Sequence, residues 1–195
     1  MAVNLVKGQK ISLKKEDGAA VTQFCAGANW GAHASGRSID LDLHVALFTE
    51  DKRLLEHVYF GKLASANNAV YLSGDDLKGD SGGDDGQDNE VMTCHLSRLP
   101  ENCAKVVVFL CSYSKDDFSA IPHAEVRIYE GLPNQPTNVL AKYRVSSEPA
   151  FAGHVVMVMG SFYKHNGEWK FNAMGIPTRD KDYREAITSI INTIL

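Results

Sequence analysis

Short runs of β-branched and aromatic residues, cut by turn residues, fill most of this chain, and that spacing restricts its fold more than any other property. Val21–Trp30, Ile39–Phe48, Leu54–Phe60, Asn89–Leu96, Lys105–Tyr113, His123–Tyr129, Val139–Val145, Val155–Tyr163 and Glu168–Met174 each read as a strand. Turn chemistry separates many of them: Ser65-Ala66-Asn67-Asn68, Glu130-Gly131-Leu132-Pro133-Asn134 and His165-Asn166-Gly167. The Asn-Gly pair of the last lies between two strand-like runs, the usual signal of a two-residue hairpin. Many short strands with regular turns predict an all-β dominated protein, a sandwich of two antiparallel sheets.

The C-terminus breaks the pattern. Tyr183, Ala186, Ile187, Ile190, Ile191, Ile194 and Leu195 recur at helical spacing, one apolar stripe of an amphipathic helix over about 180–194, with Asp180 or Asp182 as its cap. Such a helix either packs on its own sandwich or meets a partner or membrane surface. Its polar face carries Lys181, Arg184 and Glu185 rather than a basic band, which makes membrane binding the weaker option. No internal repeat or domain-sized linker divides the chain, so 1–195 reads as a single domain of sufficient size to bury a core.

A formal net charge of −4 argues against nonspecific nucleic-acid binding, which needs a basic surface. Met1 to Lys10 show no charged stretch followed by an apolar one, so no signal peptide is expected. The longest apolar runs, Lys105–Cys111 and His154–Gly160, are too short to span a bilayer. Cys25, Cys94, Cys103 and Cys111 form no C-x-x-C pair and no zinc spacing, and are expected to be reduced core thiols in a cytoplasmic protein.

The acidity is concentrated. Between Ser73 and Glu90 stand seven carboxylates, Asp75, Asp76, Asp80, Asp84, Asp85, Asp88 and Glu90, against one cation, Lys78. Two like charges 4 Å apart repel by about 4 kcal/mol at an effective dielectric near 20. A folded loop of this kind therefore needs wide spacing in water or a counter-charge. Gly74, Gly79, Gly82, Gly83 and Gly86 let the backbone turn and aim carbonyl oxygens inward. Carboxylates, an Asn amide and carbonyls make the all-oxygen donor set that Ca2+ prefers, while zinc or copper would call for the His or Cys that the loop lacks. Upstream, Ile39-Asp40-Leu41-Asp42-Leu43-His44-Val45 places Asp40, Asp42 and His44 on one strand face. If that strand end meets the loop, a carboxylate cage results, with His44 as a possible neighbour. The alternative is a solvated acidic tether with Asp40 and Asp42 merely exposed. The spacing is not that of an EF-hand.

Other signals lead nowhere specific. Gly79-Asp80-Ser81-Gly82-Gly83 matches the pentapeptide around a chymotrypsin-like serine nucleophile, but Ser81 sits among carboxylates with no His base signal nearby. The seven histidines show no metal-ligand spacing, and Trp30, Trp169, Phe162, Tyr163 and Phe171 read as core rather than as a stacking platform. Neither a dinucleotide fingerprint nor a phosphate-binding Gly-rich loop is present.

The chain resembles the TerD family of tellurium-resistance and stress proteins over most of its length. The residues that carry the resemblance are Val6-Lys7-Gly8-Gln9-Lys10-Ile11-Ser12-Leu13, Gly27-Ala28-Asn29-Trp30, Ile39-Asp40-Leu41-Asp42-Leu43, Ser73–Asp80, Gly83–Glu90 and Phe162–Phe171. The loop is longer than the compact Gly-Asp-Asn…Gly-Asp-Gly-Asp-Asp-Glu form of many members and looks more like that of TerZ-type members. The resemblance implies a β-sandwich holding Ca2+ at the acidic loop and the Asp-x-Asp strand. Ligands would come from Asp40, Asp42, Asp75, Asp76, Asp84, Asp85, Asp88, Asn89 and Glu90, with a carbonyl from Gly79. It also implies a cytoplasmic, non-enzymatic binding or scaffold role in resistance to tellurite and other stresses, including phage. Other resistance or stress proteins would be its partners, within a complex at the inner membrane surface. Two rivals stay open: a metal- or thiol-dependent enzyme acting on oxyanions such as tellurite, and a structural stress protein whose loop binds no ion.

Overall fold

The computed structural model describes residues 10–13, 20–33, 35–146 and 148–195. Eleven strands are found among them: β1 (Lys10–Ser12), β2 (Gln23–Trp30), β3 (Leu41–Phe48), β4 (Leu54–Val58), β5 (Val70–Leu72), β6 (Glu90–His95), β7 (Lys105–Ser112), β8 (Ala124–Leu132), β9 (Gln135–Arg144), β10 (Val156–His165) and β11 (Glu168–Thr178). They form a six-stranded sheet in the order β1-β11-β10-β7-β3-β4 and a five-stranded sheet in the order β5-β6-β2-β8-β9. Every named pairing is antiparallel. The two-sheet sandwich expected from the spacing is the observed fold.

Alternation explains the core. Leu41, Leu43, Val45 and Leu47 of β3 and Val106, Val108 and Leu110 of β7 turn inward, meeting Phe24, Ala26, Ala28 and Trp30 of β2 and Met92 and Cys94 of β6. The Asn166-Gly167 turn joins β10 to β11 as expected: His165 pairs with Glu168, and both turn residues have positive φ, 52° and 78°. Two strands were not foreseen. β1 and β5 are three residues each, too short to show a period.

Strands β3 and β7 are almost wholly buried on both faces, which is why they read as near-continuous apolar runs. The cover on the outer side is the C-terminal helix α1 (Tyr183–Ser189), continued by wider turns over Ile190–Ile194. Asp182 caps it, its Oδ1 accepting from the Arg184 and Glu185 N–H groups at 2.8 and 3.0 Å. Ala186 and Ile190 are buried against Phe48, Val107, Phe109 and Val158, with Ile187, Ile191 and Ile194 beside them. The apolar stripe is thus used on the protein's own sheet. No helix among the described residues is long and apolar enough to cross a membrane.

All four cysteines are buried free thiols. Burial pushes Cys103 up to about 11 and holds Cys94 and Cys111 well above the ordinary range. A thiolate is the reactive form, so the folded protein is expected to react slowly with a disulfide reagent at neutral pH. Release of two or more thiols within seconds under native conditions would restore the thiol-enzyme reading.

Candidate cation-binding site

The acidic segment between β5 and β6 folds over the end of the sandwich where β2 and β3 open. Its anchor is Trp30, the last residue of β2 and wholly buried. The Trp30 indole N–H donates to Ile39 O at 2.7 Å, its backbone N–H to Asn89 Oδ1 at 2.8 Å, and its carbonyl accepts from Asp80 N at 2.8 Å. One side chain and its backbone thereby tie the residue before Asp40 to both halves of the loop. Gly79 lies against that indole with φ 66°. A Cβ there would fall 2.5 Å from Trp30 Cδ1, so both the left-handed turn and the close approach require glycine.

Two acidic groups result. In the first, ligand-competent oxygens of Asp40, Asp42 and Asp75 all lie within 4.8 Å of one another. Glu90 borders it: fully buried at the start of β6, it accepts from Leu43 N at 2.9 Å through Oε2 and from Asp76 N at 3.3 Å through Oε1. Leu43 precedes Val45, the first residue that β4 pairs with, so its N–H is taken by the glutamate rather than by a strand. Asp76 turns the chain here, its Oδ1 accepting from Lys78 N and Gly79 N at 2.9 and 3.0 Å.

Desolvation and mutual repulsion dominate this group. Burial, then Asp75 and Asp76, push Asp40 up to about 6. Burial, then Asp40 and Asp75, push Asp42 up to about 8, with Lys115 opposing. Glu90 reaches about 9, chiefly by burial and despite its two backbone donors. Asp75 is raised as well, by burial and by Asp76. None of these four is ion-paired among the described residues, and Asp40 Oδ1 is buried without a hydrogen-bond partner. Burial and mutual repulsion thus favour the protonated forms of these groups unless a cation stands among them.

The second group is Asp80, Asp84 and Asp85, again with oxygens within 4.8 Å, but Asp84 and Asp85 are exposed. Asn29 holds it to β2, donating through Nδ2 to Asp84 Oδ1 at 2.9 Å and to Gln87 O at 2.6 Å. The Asn29 donation to Asp84 and the Gly86 N–H keep the Asp84 carboxyl below its ordinary value. Asn89 stands between the groups, with Nδ2 2.9 Å from Asp80 Oδ1 and 3.4 Å from Asp76 Oδ2.

The residues expected to act together therefore divide. Asp40, Asp42 and Asp75 converge, with Asp76 and Glu90 at their border; Asp84 and Asp85 join Asp80; Asn89 and Gly79 shape the connection. Asp88 points elsewhere. Only 2% of its side chain is exposed, and it accepts from Arg127 Nε at 2.9 Å and from the Tyr129 hydroxyl at 3.2 Å. Gly27 makes room for it, since a Cβ there would lie 1.9 Å from Asp88 Oδ2. Asp80 and Asn29 are the functional candidates not in the expected ligand set. Asp80 was visible as one of the loop's seven carboxylates, whereas nothing in the spacing marked Asn29 as facing the loop. His44 borders neither group. It is buried beneath α1, stacked on Phe109 at 4.8 Å, with Nδ1 3.0 Å from His57 Nε2.

Comparison with known proteins agrees with this architecture. Residues 1–184 match the family model described as the TerD domain. The chain is 30% identical to the tellurium resistance protein TerZ of Serratia marcescens, covering 99% of each chain. It is likewise 30% identical to the stress response protein SCP2 of Bacillus subtilis, covering 98% of this chain and 100% of the other. The crystal structure of a homologue of the telluride resistance protein TerD from Streptomyces coelicolor superposes with a TM-score of 0.72 over 86% of this chain and 96% of its own, at 19% identity, a likeness of fold.

Proposed function

This chain belongs to the TerD family of tellurium-resistance and stress-response proteins, and on that premise we propose that it is a calcium-binding module acting as a scaffold rather than as an enzyme. The observation that carries this reading is the first acidic group: four carboxylates held above their ordinary range with no ion-paired cation among the described residues. The donors are all oxygens, which suits a hard cation and not zinc or copper. Asp40, Asp42 and Asp75 would hold one ion, with Glu90 and Asp76 orienting the strand and loop around it. Asp80, Asp84 and Asp85 would hold a second at a more open position. Bound calcium supplies the positive charge that lets these side chains stay ionised together. Trp30, Asn29 and Asn89 keep strand and loop in register, so that ion binding and loop geometry become one property. The surface so shaped would meet other resistance or stress proteins in the cytoplasm, including an assembly at the inner membrane surface. The names of its relatives, tellurium-resistance and stress proteins, support the biological setting.

Calorimetric titration of calcium into chelator-stripped protein, with magnesium as competitor, tests the reading. Saturable binding with integral stoichiometry is expected, with one equivalent lost in Asp42→Asn. The absence of both heat and thermal shift would leave the loop as a solvated acidic tether.

A further inference from the structure

The outer face of the five-stranded sheet carries a cleft of about 550 Å3 beside the second acidic group. We propose that this cleft binds the phosphate group of a small phosphate ester, between the cationic side chains of Arg127, Lys142 and Arg144 and a divalent ion on Asp80, Asp84 and Asp85. The proposal rests on the calcium reading above and adds a ligand to it.

Three observations converge. First, the second group is open. Asp84 and Asp85 are exposed, and the one oxygen that each of the three carboxylates brings together would fill only three of the six to eight positions of a calcium ion. Ions held by few carboxylates commonly complete their shell with water or with phosphate oxygens of a ligand.

Second, Asn29 lines the cleft at 8% exposure, and its Oδ1 is buried without a partner. The amide cannot be turned round to relieve this, because Nδ2 already faces two acceptors, Asp84 Oδ1 and Gln87 O. A carbonyl left bare beside the acidic group calls for a cation or a donor.

Third, a bound ion would relieve the excess negative charge of the cleft. Arg127 is matched by Asp88, and Glu125 alone serves both Lys142, at 2.7 Å, and Arg144, at 3.7 Å, which leaves a surplus positive charge on that wall. Opposite stands Asp84, 3.5 Å from His123 Nε2 and grouped with Asp80 and Asp85. Without a divalent ion these carboxylates repel an anion from the mouth of the cleft. With one, the three negative charges fall to one, the repulsion is much weakened, and the ion's open coordination positions can take a phosphate oxygen. Guanidinium and ammonium groups facing a metal across a concave polar surface suit a phosphate dianion better than a single carboxylate.

The test uses the full chain, with ribose 5-phosphate and glycerol 3-phosphate as probes and ribose as the uncharged control, each titrated with calcium and with chelator. Saturable calcium-dependent binding of at least one phosphate is expected, with none for ribose. Preference for the sugar phosphate would point to a nucleotide-type ligand, and preference for the glycerol ester to a lipid headgroup. Lys142→Gln/Arg144→Gln changes two partly or largely exposed side chains. It should weaken phosphate binding at least tenfold while leaving the calcium stoichiometry and melting curve intact. Normal calcium binding with no heat from either phosphate would overturn this proposal and leave the calcium reading standing. Phosphate binding unaffected by chelator would overturn the bridged arrangement. Failure of calcium itself to bind would remove the premise of both.

Discussion

Stripped of calcium, the protein should be more stable at pH 5 than at pH 8, the reverse of what paired carboxylates produce. Asp42 and Glu90 have folded-state values near 8 and 9 against ordinary values of 3.8 and 4.5. Between about pH 4 and pH 9 the folded state therefore binds more protons than the unfolded state, and stability falls as pH rises through that window. With both groups largely buried, the difference between the ends of the window is on the order of several kcal/mol. Saturating calcium should flatten this dependence by replacing the protons. At a hundredfold excess over its dissociation constant the ion adds about 2.7 kcal/mol, or roughly 5–10 °C in melting temperature for a chain of this size. Thermal melts at pH 5, 6.5 and 8, with calcium and with chelator, check the sign. Apo stability that rises with pH across this range would show that Asp42 and Glu90 ionise freely in the fold.

Changing Gly27 to Ala is expected to cost about 3 kcal/mol or more without removing a calcium equivalent. The added Cβ would fall within bonding distance of Asp88 Oδ2, forcing the carboxylate away from Arg127 and leaving a mostly buried charge unpaired. Asp88→Asn should act in the same direction through the same guanidinium. Urea unfolding gives the stability, and calorimetry on the same samples counts the ions. A stable Asp88→Asn variant that loses a calcium equivalent would make Asp88 a ligand after all and Arg127 a bystander.

The sandwich was legible because its strands are long enough to alternate. β2, β3, β7 and β10 each show the two-residue period or the continuous apolar run of a strand covered on both sides, and Asn166-Gly167 marks its hairpin in two letters. β1 and β5 carry three residues each, below the length at which any period can be counted. The acidic composition of Ser73–Glu90 marked a candidate site, but composition assigns no direction to a side chain. Asp84, Asp85, Asp88 and Glu90 look equivalent in a list of letters. Their separate fates depend on a bare backbone at Gly27, on Arg127 some forty positions onward, and on a Leu43 amide that Glu90 rather than a strand takes up. Each of those is a long-range contact with no local signature. His44 shows the same limit from the other side. Alternation put it on the face of Asp42, and helix α1 covers that face before the acidic residues are reached.

The double burial of β3 has a consequence for how an ion would select its place. Asp42 belongs to a strand clamped between the core and helix α1, so one wall of the first group is fixed before any ion arrives. Asp75 and Asp76 belong to a segment held by turns and single hydrogen bonds. The ordering entropy of assembling such a site would therefore fall mostly on the loop. The strand would then act as a gauge and the loop as the part that adjusts to it, so that an ion's radius would be read as the adjustment the loop must make.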